Sequence, residues 1–447
     1  MTRADTFDEQ ALKGVIADAL AKSRRRSQGL TVDTLDEHDL VSQHSTLMSP
    51  LVWDLAHVGN FEELWLLRGV TGMAPMRPEI DPLYDAFEHP RAERPQLPLL
   101  PPDDAVDYIG LVRRKVLDSL EHLRFDAANP LLRDGYIYGL VIQHEHQHDE
   151  TMLATHQLRR GSRVLNDVPP PSATKPLPAA EALVPAGRFT MGASDDPWAL
   201  DNEIPGHDVD VPAFWIDTTP VTNAAYRSFV DSHGYDDERW WSAGGWDWRC
   251  RSGTRTPAFW VREGQEWLRR RFGVVEPLPA AQPVQHVCFY EAEAYARWVG
   301  KRLPSEAEWE KAASWDPRTR TKHRYPWGDD PDESGRANLG ERHHQPADVG
   351  AYPGGASSYG VQQMLGDVWE WTSSDFRPYP GFRAFPYREY SEVFFGPDYK
   401  VLRGGSWATD LQAARTTFRN WDYPIRRQIF AGFRCARDAA PGDAAAT

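Results

Sequence analysis

The first third of the chain places its apolar residues at helical spacing. ALKGVIADALAKSRRRSQG carries one apolar stripe and stops at Gly29. Ser49-Pro50 marks a second start, with Ser49 as N-cap and Pro50 in the first turn. From there LVWDLAHVGNFEELWLLRG runs to Gly69, and DDAVDYIGLVRRKVLDSLEHL and RDGYIYGLVIQHEHQHDETMLATHQLRRG read as a third and a fourth helix. Four long helices in so short a stretch predict a four-helix bundle. The pattern then changes. VPPPSATKPLPAAEALVPAG is rich in Pro and Ala and predicts a linker with little room for helix or strand. Beyond it, short β-type runs such as GRFTMG, HDVDVPAFWID and VLRGGSW are broken by Gly, Pro, Asn and Asp, with helices at YEAEAYARWVGKR and after Pro304 in SEAEWEKAAS. The expectation is an α+β protein: a bundle over 1–165, a Pro-rich linker over 166–183, a domain of short strands, few helices and long loops over 184–438, and a disordered tail over 439–447.

Polar residues on the apolar stripes carry the chemistry. On the fourth helix His144 and His148 are four apart, so they share one face with Ile137, Leu140, Val141, Met152 and Thr155. His146 lies about 200° around the helix from His144 and should point elsewhere. On the second helix His57 follows Trp53 and precedes Phe61 and Leu64 at the same spacing. Three imidazoles from two inward faces make a metal site. Three neutral ligands leave a divalent ion its full charge and open positions, and both iron and zinc fit such a set. The same stretch matches H-E-x-x-H, the zinc-protease signature. Its extended form fails, because Thr151 stands where Gly is required and Ala154 where His is required, and the region around Glu181 offers no helix for an alternative ligand.

Composition narrows the partners. The 447 residues carry 50 basic and 65 acidic side chains, a net charge of -15, which argues against nucleic acid or an anionic membrane surface. Any anion site must come from a few placed Arg residues. No run approaches the length of a membrane span, and the N-terminal stretch has no apolar signal segment. The odd count of three Cys suits a reducing compartment, so a cytoplasmic protein is expected.

The second half resembles the formylglycine-generating-enzyme (sulfatase-modifying-factor) fold, of C-type-lectin-like build, through RFTMG, PVTNAAYRSFV, PVQHVCFYEAEAYARWVGKRLPSEAEWEKAA, YPWGD, MLGDVWEWTSS, VLRGGSW and GFRCARD in that order. The first third is similar to a DinB-type metal-binding bundle. Together with LMSPLVWDLAH, YDAFEHPRAER, HEHQHDETML and FRNWDYPIRRQIFAGFR, the fusion resembles the actinobacterial-type sulfoxide synthases of ergothioneine biosynthesis. That resemblance implies a non-haem Fe(II) enzyme using O2 to join the thiol of γ-glutamylcysteine to imidazole C2 of hercynine (Nα-trimethylhistidine) as a sulfoxide. It implies iron ligands His57, His144 and His148, and a proton-donating tyrosine at Tyr387 in PYREYS, ahead of Tyr390. Arg91 and Arg94 in HPRAER and Arg426 in DYPIRR would hold the carboxylates of γ-glutamylcysteine as forks, and Asp422 its ammonium. Gln147 would face the hercynine imidazole, and Asn420 and Trp421 its trimethylammonium end. Some members of the fold hold Ca2+ through loop oxygens, for which Asn338 and Asp367 are the candidate ligands. The expected partners are these small molecules, acting on a monomer.

Three other readings stand beside this one. Formylglycine generation needs a pair of late cysteines, and only Cys435 lies late. A non-catalytic binding module of the same fold would lack the three-His set. A sister enzyme would use free cysteine or a selenol as donor.

Overall fold

The computed structural model describes residues 8–166, 168–174, 177–440 and 443. The first seven residues, where the bundle was expected to begin, and most of the expected tail over 439–447 lie outside the described residues. The chain divides into two compact units. One takes in the chain up to Asn166 together with Asp196–Trp198; the other takes in the remainder.

The first unit is built on four helices: α1 (Glu9–Gly29), α2 (Leu51–Glu62), α3 (Pro102–His122) and α4 (Tyr136–Leu158). Helix α1 packs chiefly on α4, and α2 on α3 and α4. All twelve residues of α2 are buried, as its near-continuous apolar sequence requires. Gly59 is what lets α3 approach so closely, since a Cβ there would stand 2.4 Å from Ile109 Cγ2. Beyond Glu62 the helix widens into a π-turn over Glu63–Gly69, a feature that apolar periodicity does not report. Gly135, at φ +73°, turns the chain into α4. Ser49 is not the N-cap expected for α2. Pro50 occupies that position with no side-chain cap, and Ser49 Oγ instead accepts from Arg94.

The second unit has short strands and long loops. Its strands are β1 (Glu181–Val184), β2 (Gly187–Met191), β3 (His207–Val211), β4 (Phe214–Asp217), β5 (Trp260–Glu263), β6 (Glu266–Arg271), β7 (Val274–Pro277), β8 (Trp315–Asp316), β9 (Thr321–Lys322), β10 (Trp369–Phe376), β11 (Gly396–Arg403), β12 (Asn420–Asp422), β13 (Ala431–Gly432) and β14 (Ala436–Asp438). They form sheets β1-β4-β14, β12-β11-β10-β13, β2-β3, β5-β6-β7 and β8-β9. Strand β1 corrects the linker expectation: the segment read as too Pro-rich for a strand ends at Glu181, where four residues pair with β4 in register from Glu181↔Asp217 to Val184↔Phe214. Ala182, Leu183 and Val184 carry no proline, so nothing prevents the ladder there.

With so few regular elements, charge pairs help hold the second unit together. Arg403, Arg415, Arg419 and Arg434 are at most 1% exposed. They pair with Glu310, Glu203, Glu306 and Glu370 respectively. Buried arginines are tolerated because each guanidinium pairs with a carboxylate and donates to loop carbonyls such as Asn202 O and Gln363 O.

Candidate metal centre

His57, His144 and His148 converge: a ring nitrogen from each lies within 4.8 Å of the others. The spacing explains the convergence, because α4 presents two imidazoles one turn apart and α2 presents the third from a facing stripe. Polar atoms orient two of the rings. His57 Nδ1 lies 2.7 Å from Tyr84 O, and a carbonyl only accepts, so Nδ1 carries the proton. His148 Nδ1 lies 3.0 Å from Asp54 Oδ1, with the same consequence. Both rings therefore direct an Nε2 lone pair into the cluster. Among the described residues His144 has no hydrogen-bond partner for its buried Nδ1. Its ring lies against Phe61, with centroids 3.7 Å apart and planes 13° off parallel.

Burial, aided by the neighbouring imidazoles, lowers both His57 and His144 well below 6.5, so both are neutral at pH 7 with their lone pairs available. His57 Nε2 and His144 Nε2 lie 3.3 Å apart. Two imidazole nitrogens about 2.1 Å from one ion, at about 100° to each other, would lie about 3.2 Å apart. Chemistry, protonation and spacing all fit a divalent ion.

The rest of QHEHQHDE faces elsewhere. Glu145 accepts from Ser23 Oγ, Arg24 Nε, Ser27 Oγ and Arg113 Nη2 at 2.7–3.0 Å. Burial alone would raise its carboxyl, but the Arg24 and Arg113 charges outweigh that and hold it at about 2. Arg24 and Arg113 also bind Glu62, making a buried quartet of two cations and two anions. A carboxylate held this way cannot serve as a protease's base. His146 is buried beside Asp149, its Nδ1 3.2 Å from Asp149 Oδ2, apart from the cluster.

The other expected site residues fall in both units. In the first, Gln147 is half-buried on α4 and Arg91 donates to Leu47 O at 2.9 Å. Arg94 departs from the expectation of a substrate fork. It is 4% exposed and donates to His89 O, Ser49 Oγ and Ala86 O, with its guanidinium 3.5 Å from the Trp53 ring centroid. Its donors thus secure the loop that also carries Arg91, and burial lowers it to about 10. In the second unit Tyr387 is half-buried, edge-on to Tyr390 at 5.9 Å. Arg426 Nε lies 3.3 Å from Asp422 Oδ1. Asn420 Oδ1 accepts from Trp421 N, and Phe376 covers one face of the Trp421 indole at 4.2 Å.

Asn338 and Asp367, the candidate Ca2+ ligands, bond to each other, and among the described residues Asn338 Oδ1 has no hydrogen-bond partner. Asn338 Nδ2 donates to Asp367 Oδ1, which also accepts from Ala347 N, while Asp367 Oδ2 accepts from Gln363 Nε2. Burial raises Asp367 to about 6.

Sequence reasoning missed Asp54, Tyr84 and Phe61 as partners of the three imidazoles. Asp54 had a signal, an acid three residues before His57 in an otherwise apolar run; a backbone carbonyl has none.

A family model for sulfatase-modifying factor enzyme 1-like domains matches residues 166–439, and one for the DinB superfamily matches residues 19–152. A hercynine oxygenase of Mycolicibacterium smegmatis is 52% identical over 432 residues, 95% of this chain and 98% of that one. The chain belongs to the hercynine oxygenase family. A second member, from Mycobacterium tuberculosis, is 52% identical over 427 residues, 93% of this chain and 97% of that one. Membership makes the chain an oxidoreductase. The formylglycine-generating enzyme of Streptomyces coelicolor is 34% identical over 311 residues, 60% of this chain and 95% of that one. Cys288 and Cys435 are buried and unpaired, and burial raises both thiols well above 9, which disfavours a thiolate at either. Among the described residues no helix is long and apolar enough to cross a membrane.

Proposed function

We propose that this chain is a non-haem iron(II)-dependent oxygenase of ergothioneine biosynthesis. It joins the thiol sulfur of γ-glutamylcysteine to imidazole C2 of hercynine and releases a sulfoxide. The observation that carries the proposal is a buried three-imidazole cluster in a chain 52% identical, over 95% of its length, to a hercynine oxygenase. In the overall reaction an S–H and a C–H bond are lost and C–S and S–O bonds form. One O2 provides the sulfoxide oxygen and the oxygen of one water.

His57, His144 and His148 would hold the ion through Nε2. The chemistry supplied there by iron(II) is redox exchange with O2, which a zinc ion in the same ligands does not offer. Tyr84 O and Asp54 Oδ1 fix the proton on Nδ1 of His57 and His148 and so keep their Nε2 lone pairs turned inward. Three neutral imidazoles favour an anionic substrate ligand, which a thiolate provides. Arg91 and Arg426 take the carboxylates of γ-glutamylcysteine and Asp422 its ammonium. The adjacent opposite charges of Arg426 and Asp422 suit an amino-acid terminus. Arg94 orders the loop beneath Arg91, and direct contact with substrate would require it to exchange one of its internal bonds. Gln147 orients the hercynine imidazole, and Asn420 and Trp421 receive its trimethylammonium end. Tyr387 donates a proton from its phenol oxygen. Calcium has no part in the proposal. The protein works as a cytoplasmic monomer on diffusible small molecules.

The test is an anaerobic mixture of Fe(II)-loaded protein, hercynine and either γ-glutamylcysteine or cysteine, opened to air, with products read by mass spectrometry. The hercynyl γ-glutamylcysteine sulfoxide is expected in the first arm. Absence of sulfoxide in both arms overturns the proposal, and sulfoxide from cysteine alone reassigns the donor.

A further inference from the structure

We propose that Phe61 is a positioning residue of the metal centre. It sets the plane of His144 by stacking, in place of the hydrogen-bond acceptor that His57 and His148 each possess. The proposal rests on the reading of the three histidines as metal ligands.

The three ligand rings are supported unequally. His57 Nδ1 has Tyr84 O at 2.7 Å, and His148 Nδ1 has Asp54 Oδ1 at 3.0 Å. His144 Nδ1 is shut off from solvent and has no hydrogen-bond partner among the described residues. When Nε2 is a ligand, the ring proton must sit on Nδ1, and at His144 nothing accepts it. Metal ligation by histidine ordinarily relies on such an acceptor to fix the ring and raise its basicity. At His144 the ring is held by Phe61, 7% exposed, whose face lies 3.7 Å away and 13° from parallel. His57 is also stacked, on Trp53 at 4.5 Å, but keeps its acceptor. Only His144 combines a stack with an unaccepted nitrogen.

Phe61 stands four residues after His57 and so shares its face of α2. One helix face therefore delivers a ligand from one position and the support of a second ligand from the next turn. A flat ring restricts His144 to rotations within its own plane, whereas a hydrogen bond would fix that rotation as well. His144 is accordingly the ligand whose in-plane orientation the protein leaves least constrained.

The test compares wild type, Phe61→Met, which keeps apolar bulk without a flat face, and Phe61→Tyr, which keeps the ring. Co(II) binding is followed by its visible spectrum, with thermal unfolding of the metal-free proteins alongside. Phe61→Met is expected to weaken Co(II) binding about tenfold and change the spectrum, with Phe61→Tyr remaining near wild type. Wild-type affinity in Phe61→Met overturns the proposal, as does equal weakening in both variants. Failure of wild type to bind any divalent ion overturns the metal reading and this proposal with it. Independently of any variant, 15N-histidine spectra of the metal-free wild type should show slowly exchanging Nδ1–H protons for His57 and His148 and none for His144. A third such proton, assigned to His144, refutes the proposal.

Discussion

Substituting Glu145 by Gln should destabilise the bundle and leave the metal centre loaded. Glu145 accepts from Ser23, Arg24, Ser27 and Arg113 at 1% exposure. Glutamine matches its size but removes the charge, so Arg24 and Arg113 would face only Glu62 and a net positive charge would be buried. Breaking a buried ion pair from one side costs about 3–5 kcal/mol. The assay is native-state hydrogen exchange of α1, α3 and α4 amides, where a loss of about 3 kcal/mol speeds the slowest exchange about a hundredfold. Divalent-ion content should be unchanged. The sign with pH follows from the depressed folded value. The contribution is complete above the unfolded value near 4.5 and disappears as pH falls towards 2, so the gap between wild type and variant should close over that window. An exchange rate within threefold of wild type, about 0.6 kcal/mol, would refute the quartet's structural role. Abolished activity on a stable, metal-loaded fold would instead restore Glu145 as a catalytic group.

Three further substitutions test the reasoning at other positions. Asp54→Asn leaves His148 Nδ1 a weaker, neutral acceptor, and should weaken divalent-ion binding about ten- to a hundredfold by calorimetry. Gly59→Ala places a methyl 2.4 Å from Ile109 Cγ2 and should lower bundle stability by about 1–3 kcal/mol in thermal unfolding. Tyr387→Phe should retain metal and both substrates while shifting product from sulfoxide to the sulfinic acid of the thiol donor. An unchanged product ratio removes the tyrosine from its proposed role.

The three-histidine cluster was legible because an i, i+4 pair on an apolar stripe shares one face and a third histidine lies on a facing stripe. Both patterns are local. The supports of those rings are not. Tyr84 O is a backbone atom 27 residues from His57 in sequence, and Phe61, read as core filler, is also the surface against which His144 lies flat. The same distinction applies to two charged residues. Arg94, in HPRAER, is inseparable by composition from a solvated turn until Ser49, Ala86 and His89 close around it. Glu145 sits in a match to the short H-E-x-x-H pattern, yet its partners Ser23 and Arg24 lie 122 and 121 residues away on α1. A helix turns about 100° per residue, so a side chain next to a ligand in sequence must face a different neighbour in space. On α4 that turn divides one short stretch between the three-imidazole cluster and the buried ion quartet, with His144 and His148 on one side and Glu145 on the other.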